Sequence, residues 1–247
     1  MKRLVLYMLL GMMFCSVSAQ AETKSQELAR LNTEMAASYF GFGQYAIALE
    51  KLKLALAAES DYAPAYSVRG LVLSELREFD GANDSFKKAL SLAPDDFDIN
   101  HNYGWFLCNR VGKYKDSLHY FTQAVKNPLY TTPEKSLVMA GTCAIKANDL
   151  DAADAYLHQA ERSMPNNSPV MFQSLAELAY ARGEFQSARD LLEREAKVAP
   201  ATAASIWLAI RVDRKLGDKP TATLENDLST RFPQTDEARK LAKGQFD

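Results

Sequence analysis

Three cysteines and three histidines are the residues of this chain with the most chemistry to offer. Cys108 closes the stretch Asn102-Tyr103-Gly104-Trp105-Phe106-Leu107-Cys108, and Cys143 follows 35 residues later. The histidines, His101, His119 and His158, are dispersed. A structural zinc site takes four ligands of the Cys/His kind. His101 and Cys108 can share a helix face and Cys143 offers a third ligand, but no fourth is apparent, so the reading is no metal site. A nucleophilic cysteine needs a base and an electropositive setting. The apolar runs GWFLC and VMAGTC supply neither. Nor does the chain contain a G-x-S-x-G elbow, an H-E-x-x-H pair, a Walker loop or a Rossmann glycine set. The expectation is a protein that is not an enzyme, with no catalytic residue and no cofactor.

The elements around those residues repeat. GQYAIALEKLKLAL from Gly43, REFDGANDSFKKALSLAP from Arg77 and GEFQSARDLLEREAKVAP from Gly183 align with one another. Each has a turn residue, then an aromatic, then an alanine three residues on. Ala48 and Ala82 lie 34 apart, as do Ala55 and Ala89, while Ala153 and Ala188 lie 35 apart. Pro94, Pro165 and Pro200 each close a unit, since proline cannot continue a helix. This is the tetratricopeptide period, a helix-turn-helix of about 34 residues. Two antiparallel helices must approach closely, and Ala36, Gly70, Gly104, Gly141 and Ala176 permit it on the first helices. Bulky Tyr39, Phe79, Phe86, Tyr114, Phe121, Leu157 and Phe185 are expected to fill the space between. One such unit cannot bury its apolar face alone, so units stack.

The expected fold is all-α, a right-handed tetratricopeptide superhelix of about six repeats. Units fall near 29–62, 63–96, 97–133, 134–168, 169–202 and 203–236, with a polar cap over 234–247. The third unit carries an extra residue at RVGKY and a long exit, NPLYTTPEK, where Pro128 and Pro133 forbid a continuous helix.

Residues 1–21 read as a segment outside this domain. Lys2 and Arg3 precede the apolar run Leu4 to Phe14, and Ala19-Gln20-Ala21 offers a cleavage site that leaves Glu22 first in a 22–247 mature domain. That is the layout of a secretory signal peptide. Lipidation at Cys15 is the competing reading, but Phe14 stands where lipoprotein signals place a small residue, and the reading favours cleavage after Ala21. The expected location is the periplasm.

Export changes how the remaining two cysteines read. An even pair in an oxidising compartment suggests a disulfide. Both fall late on the first helix of adjacent units, and neighbouring helices pack about 8–10 Å apart, within reach of a bridge where their faces meet. Two free, buried thiols are the alternative. The 247 residues are 47% hydrophobic and 24% charged with a net charge of −2. No basic excess points to nucleic acid or an anionic membrane surface.

The stretch from Asn102 to Ala153 resembles the centre of the type IV pilus biogenesis/stability family, the periplasmic pilotins. The matching residues are Asn102-Tyr103-Gly104, Phe106-Leu107-Cys108, Pro128-Leu129-Tyr130, Pro133 and Ala140-Gly141-Thr142-Cys143-Ala144. SIWLAIRVDRKLGD and RFPQTDEA resemble its last unit and tail, so the likeness covers nearly all of the mature chain. The resemblance implies a six-repeat superhelix and a bridge between Cys108 and Cys143. It also implies a role in assembling or stabilising the outer-membrane secretin and the pilus, through secretin or other type IV pilus assembly proteins as partners. Many members are outer-membrane lipoproteins. Phe14 departs from that signal, which leaves outer-membrane association open, although a soluble form keeps the means to bind. A general periplasmic scaffold or chaperone in envelope assembly is the alternative function.

The repeat resemblance further implies a partner groove lined by positions two, five, nine, twelve and thirteen of each unit. In units one to three these include Arg30, Thr33, Phe40, Ser67, Leu71, Glu75, His101, Trp105 and Asn109. Phe40, Leu71 and Trp105 would give the groove apolar area. Trp105 has two readings, a groove residue or a core residue, because tryptophan is usually well buried.

Overall fold

The computed structural model describes residues 23–165, 167–217 and 221–246. The expected signal peptide and Cys15 lie outside the described residues. Within them the chain is helical, with no strand. Six antiparallel pairs follow one another: α1 (Lys24–Gly41) with α2 (Tyr45–Ala58), α3 (Ala63–Glu75) with α4 (Phe79–Leu92), α5 (Phe97–Phe106) with α6 (Tyr114–Lys126), α7 (Pro133–Lys146) with α8 (Leu150–Glu161), α9 (Pro169–Ala181) with α10 (Phe185–Ala196), and α11 (Ala203–Leu216) with α12 (Ala222–Arg231). A short α13 (Asp236–Ala242) follows. The all-α tetratricopeptide fold read from the sequence is the fold observed.

Local chemistry starts and stops these helices. Thr23 and Thr202 form capping boxes with Gln26 and Ser205, and Asp96, Asp149, Ser168 and Thr235 each accept a first-turn backbone N–H. Such caps satisfy donors that have no partner within the helix, at about 1 kcal/mol each. Among the described residues, the turn inside each pair places one residue in left-handed backbone: Gly43, Arg77, Gly112, Asn148, Gly183 and Gly217, at steps of 34, 35, 36, 35 and 34 residues. Four of the six are glycine, the residue that adopts this conformation without steric cost.

The core of each pair is a large side chain driven against a small one. Phe86, Phe121 and Leu157 are fully buried, opposite Gly70, Gly104 and Gly141 respectively. Phe79 differs from expectation: it is 37% exposed, because it opens α4 at the rim of the pair rather than pointing between the helices. In the sixth pair Ile210 of α11 and Leu228 of α12 are both fully buried in one cluster.

First helices stack in succession, α1 on α3 on α5 and then α7 on α9 on α11. The step from the third unit to the fourth is different, because α7 packs on α6 much more than on α5. Here α5 runs into a π-helical turn, Leu107–Val111, ended by Gly112 at φ 74°. This turn absorbs the extra residue of the third unit. The exit loop is more than a connector. Tyr130 is buried and stacks on Phe97 with ring centroids 4.7 Å apart.

Candidate functional site

Cys108 lies in the π-helical turn and Cys143 on α7, and the two are joined as a disulfide with Cα atoms 6.0 Å apart. Both are buried, in a cluster with Phe121 and Ala140. The bond therefore sits where first-helix stacking is thinnest and closes a loop of sequence separation 35. Among the described residues, no group of three or more His, Cys, Asp or Glu side chains is placed to hold a metal. The histidines stay apart in role. His101 Nδ1 pairs with Ser136 Oγ at 2.8 Å, and Tyr130 Oη reaches the same hydroxyl at 3.0 Å. Burial, and then the nearby Lys135 ammonium, lower the His101 pKa and favour the neutral ring.

The face built by the first helices carries polar rungs between units. Asn102 Nδ2 donates to Ser67 Oγ at 3.2 Å, Arg110 pairs with Glu75, and Lys146 Nζ donates to Asn109 Oδ1 at 2.8 Å. Each rung joins residues 35 to 37 apart, so each holds one unit against the next. The line continues at Glu177 on α9. Burial raises its pKa, opposed by the Gln173 hydrogen bond and by Lys146 and Arg211. Lys146 is pushed the other way, its pKa lowered by burial first and by Lys240 of α13 as well, while Glu177 opposes the shift. α13 therefore lies on the same side of the molecule as this line.

The residues expected to line the groove divide into three kinds. Thr33 and Ser67 are corrections: at 5% and 3% exposure they offer a partner no surface. Thr33 Oγ1 bonds to the Ala29 carbonyl, and Ser67 lies under Asn102. Arg30 pairs with Glu34 at 2.9 Å beside the groove. Phe40 and Leu71 are half-buried against the cores of units one and two. Trp105 is also half-buried, between the cluster around Phe86 and the cluster around the disulfide. The Arg110 guanidinium lies 5.0 Å from its ring centroid, and its carbonyl accepts from Asn109 Nδ2 at 3.3 Å. Trp105, Asn109, Arg110 and Glu75 thus form one partly exposed constellation, with an aromatic face and hydrogen-bonding groups suited to an extended peptide.

Sequence reasoning did not single out two further features. The first is an apolar stripe on α1, where Leu28, Leu31 and Met35 are exposed. Its i, i+3, i+7 spacing could have revealed it. The second is a cleft of about 450 Å³ on the opposite, second-helix side, lined by Asn83, Tyr103, Asp116, His119 and Tyr120 among others.

Comparison with known proteins adds to this geometry. A tetratricopeptide-repeat family model matches residues 33–97. The type IV pilus assembly protein PilF of Pseudomonas aeruginosa is 26% identical over 173 residues, covering 69% of this chain and 67% of that protein. The crystal structure of PilW, a widely conserved type IV pilus biogenesis factor, superposes with TM-score 0.76 at 29% identity. The match covers 87% of this chain and 99% of that one. This chain is a tetratricopeptide-repeat protein related to the type IV pilus factors. A second solved structure, that of Pseudomonas aeruginosa PilF, shares the fold with TM-score 0.72 at 22% identity. Other repeat structures cover 72–90% of this chain at only 15–19% identity, and other repeat sequences match over shorter stretches. RNA polymerase II-associated protein 3 of Xenopus tropicalis is 34% identical over 73 residues, which is 30% of this chain but only 11% of that protein. What distinguishes the pilus-factor likeness is its higher identity at comparable coverage, 29% over 87% of this chain. The repeat fold and these relatives make the chain a protein-binding scaffold.

Proposed function

We propose that this chain is a non-enzymatic periplasmic adaptor for type IV pilus biogenesis. It assists assembly or stability of the outer-membrane secretin and pilus by holding a partner segment along the first-helix face. The single observation that carries this reading is the match to the pilus biogenesis factor over 99% of that chain. The constellation of Glu75, Trp105, Asn109 and Arg110 supports binding rather than catalysis, because the Glu75, Asn109 and Arg110 side chains are engaged with neighbours and none is poised as a nucleophile. The disulfide supports an oxidising compartment. The reading of residues 1–21 as a signal peptide cleaved after Ala21, with Cys15 unlipidated, goes with it.

Deletion of the gene in a piliated host tests the proposal. Loss of surface pili and of assembled secretin, with envelope integrity unchanged, is the expected result. A leaky envelope with normal piliation would instead favour a general periplasmic scaffold or chaperone.

A further inference from the structure

The last unit already holds an occupant. Counting from Ala203, Trp207, Arg211 and Arg214 stand at positions five, nine and twelve of the first helix. Unlike the short Thr33 and Ser67 at position five, the Trp207 side chain is large enough to meet a segment lying on that face, and it is buried under Phe246. The segment Gly244–Phe246 lies on these three side chains. Arg211 Nε donates to the Phe246 carbonyl at 2.8 Å. The Phe246 ring stacks on Trp207, with centroids 5.5 Å apart and planes at 23°. The Arg214 guanidinium sits 3.6 Å from the centroid of the same ring. The chain turns into this pose through Gly244, in left-handed backbone at φ 66°, and through the Gln245 N–H on the Lys240 carbonyl at 2.9 Å.

The clamp is organised by groups other than its occupant. Arg211 lies over the Tyr180 ring of α9 at 4.2 Å. Arg214 donates to Glu225 at 2.7 Å. Both arginines would keep these partners if Phe246 left. A main-chain carbonyl read by one arginine and an aromatic ring held between a second arginine and a tryptophan are the contacts of an extended peptide in a groove. Nothing in them requires that the peptide belong to the same chain.

We propose that this end of the groove is a peptide site for an extended segment bearing an aromatic residue, and that residues 244–246 occupy it in cis until such a segment displaces them. The proposal deepens the adaptor reading and rests on it. A short tether holds its ligand at an effective concentration of the order of millimolar, so the intact chain masks the site from weak ligands and yields it to strong or multivalent ones.

The test uses the full chain and a fluorescently labelled peptide with the sequence of Leu241 to Asp247, titrated to about 1 mM to match that tether. The peptide should bind the Phe246→Ala chain at least about tenfold more tightly than the intact chain. Adding Arg211→Ala should abolish binding, as should replacing the phenylalanine of the peptide by alanine. Equal binding to the intact and Phe246→Ala chains, or binding to neither, overturns the proposal. If Phe246→Ala loses helical circular dichroism, a chain ending at Lys243 takes its place, and loss of helicity there too makes the segment a structural cap and overturns the proposal. These outcomes leave the adaptor reading separately testable at Trp105, about which the tail peptide says nothing.

Discussion

Replacing Gly141 by alanine tests how the pairs are held together. A Cβ at Gly141 would stand 2.6 Å from both Cδ2 and Cγ of Leu157, closer than real contacts allow. Cγ is the branch point of the side chain, so turning a terminal methyl does not relieve the clash. Leu157 is itself fully buried among Ala144, Ala153 and Leu178, which leaves it little room to move. Overpacking costs about 1–3 kcal/mol, and a clash with a buried branch point belongs in the upper half of that range, about 2–3 kcal/mol, while alanine gains about 1 kcal/mol over glycine in a helix interior. The net expectation is a loss of about 1–2 kcal/mol, a fall in Tm of roughly 2–8 °C at this chain length. Gly104→Ala is the control. Its nearest neighbours, ring atoms of Phe121, are 3.0–3.1 Å away, and a ring can slide by a few tenths of an ångström. There the two contributions should nearly cancel. Urea unfolding followed by far-UV circular dichroism gives both values, with an unchanged slope confirming that stability alone has moved. A Gly141→Ala protein as stable as the parent, or more stable, would refute the claim that this contact sets the distance between α7 and α8.

The other stability predictions rest on single features. Cys108→Ala or Cys143→Ala should lower stability by roughly 3–4 kcal/mol in the chain-entropy model, read as a lower urea midpoint that matches the reduced parent. Arg77→Gly should raise stability by about 0.5–1 kcal/mol, because Arg77 holds a left-handed conformation at φ 62° that suits glycine; thermal melts will show it. Glu195 is buried with Oε2 unpartnered, and burial first, then Glu177, raise its pKa from 4.5 to about 6. The folded state therefore binds the proton more tightly than the unfolded one, and stability from this group is present below the unfolded pKa and lost as pH rises through the folded value. Glu195→Gln should raise Tm at neutral pH relative to the parent, and the gain should shrink as pH falls towards about 4.

Much of this architecture is legible in the sequence, for a physical reason. Close helix pairs require small residues at one position per turn of the repeat, so Gly70, Gly104 and Gly141 mark both the period and the packing. The turn position is less regular, because Arg77 and Asn148 bear a conformation usually given to glycine. What stayed illegible depends on tertiary packing. An extra residue near RVGKY can be absorbed in a turn or in a helix, and only the burial of Leu107 and Cys108 selects the π-helical turn. Register tells which face a residue is on but not how deep it lies. Thr33 and Ser67 are on the expected face, yet they are short and neighbouring side chains and backbone cover them. Phe246 is a lone aromatic beyond the last periodic pattern, and no spacing rule relates it to Trp207 or Arg214. It becomes meaningful only when the fold folds back on its own last unit.

The central claim is that the first-helix face around Trp105 is where the partner binds. Site-specific photo-crosslinking in a piliated host tests it most directly, with the crosslinker placed either at position 105 or at His119 in the cleft on the second-helix side. Trp105→Ala, checked for unchanged helical circular dichroism, accompanies it. The account predicts secretin adducts from position 105 and none from 119, and loss of most secretin binding in the folded Trp105→Ala protein. Secretin adducts from 119 alone, or a Trp105→Ala protein that folds and binds normally, would contradict it.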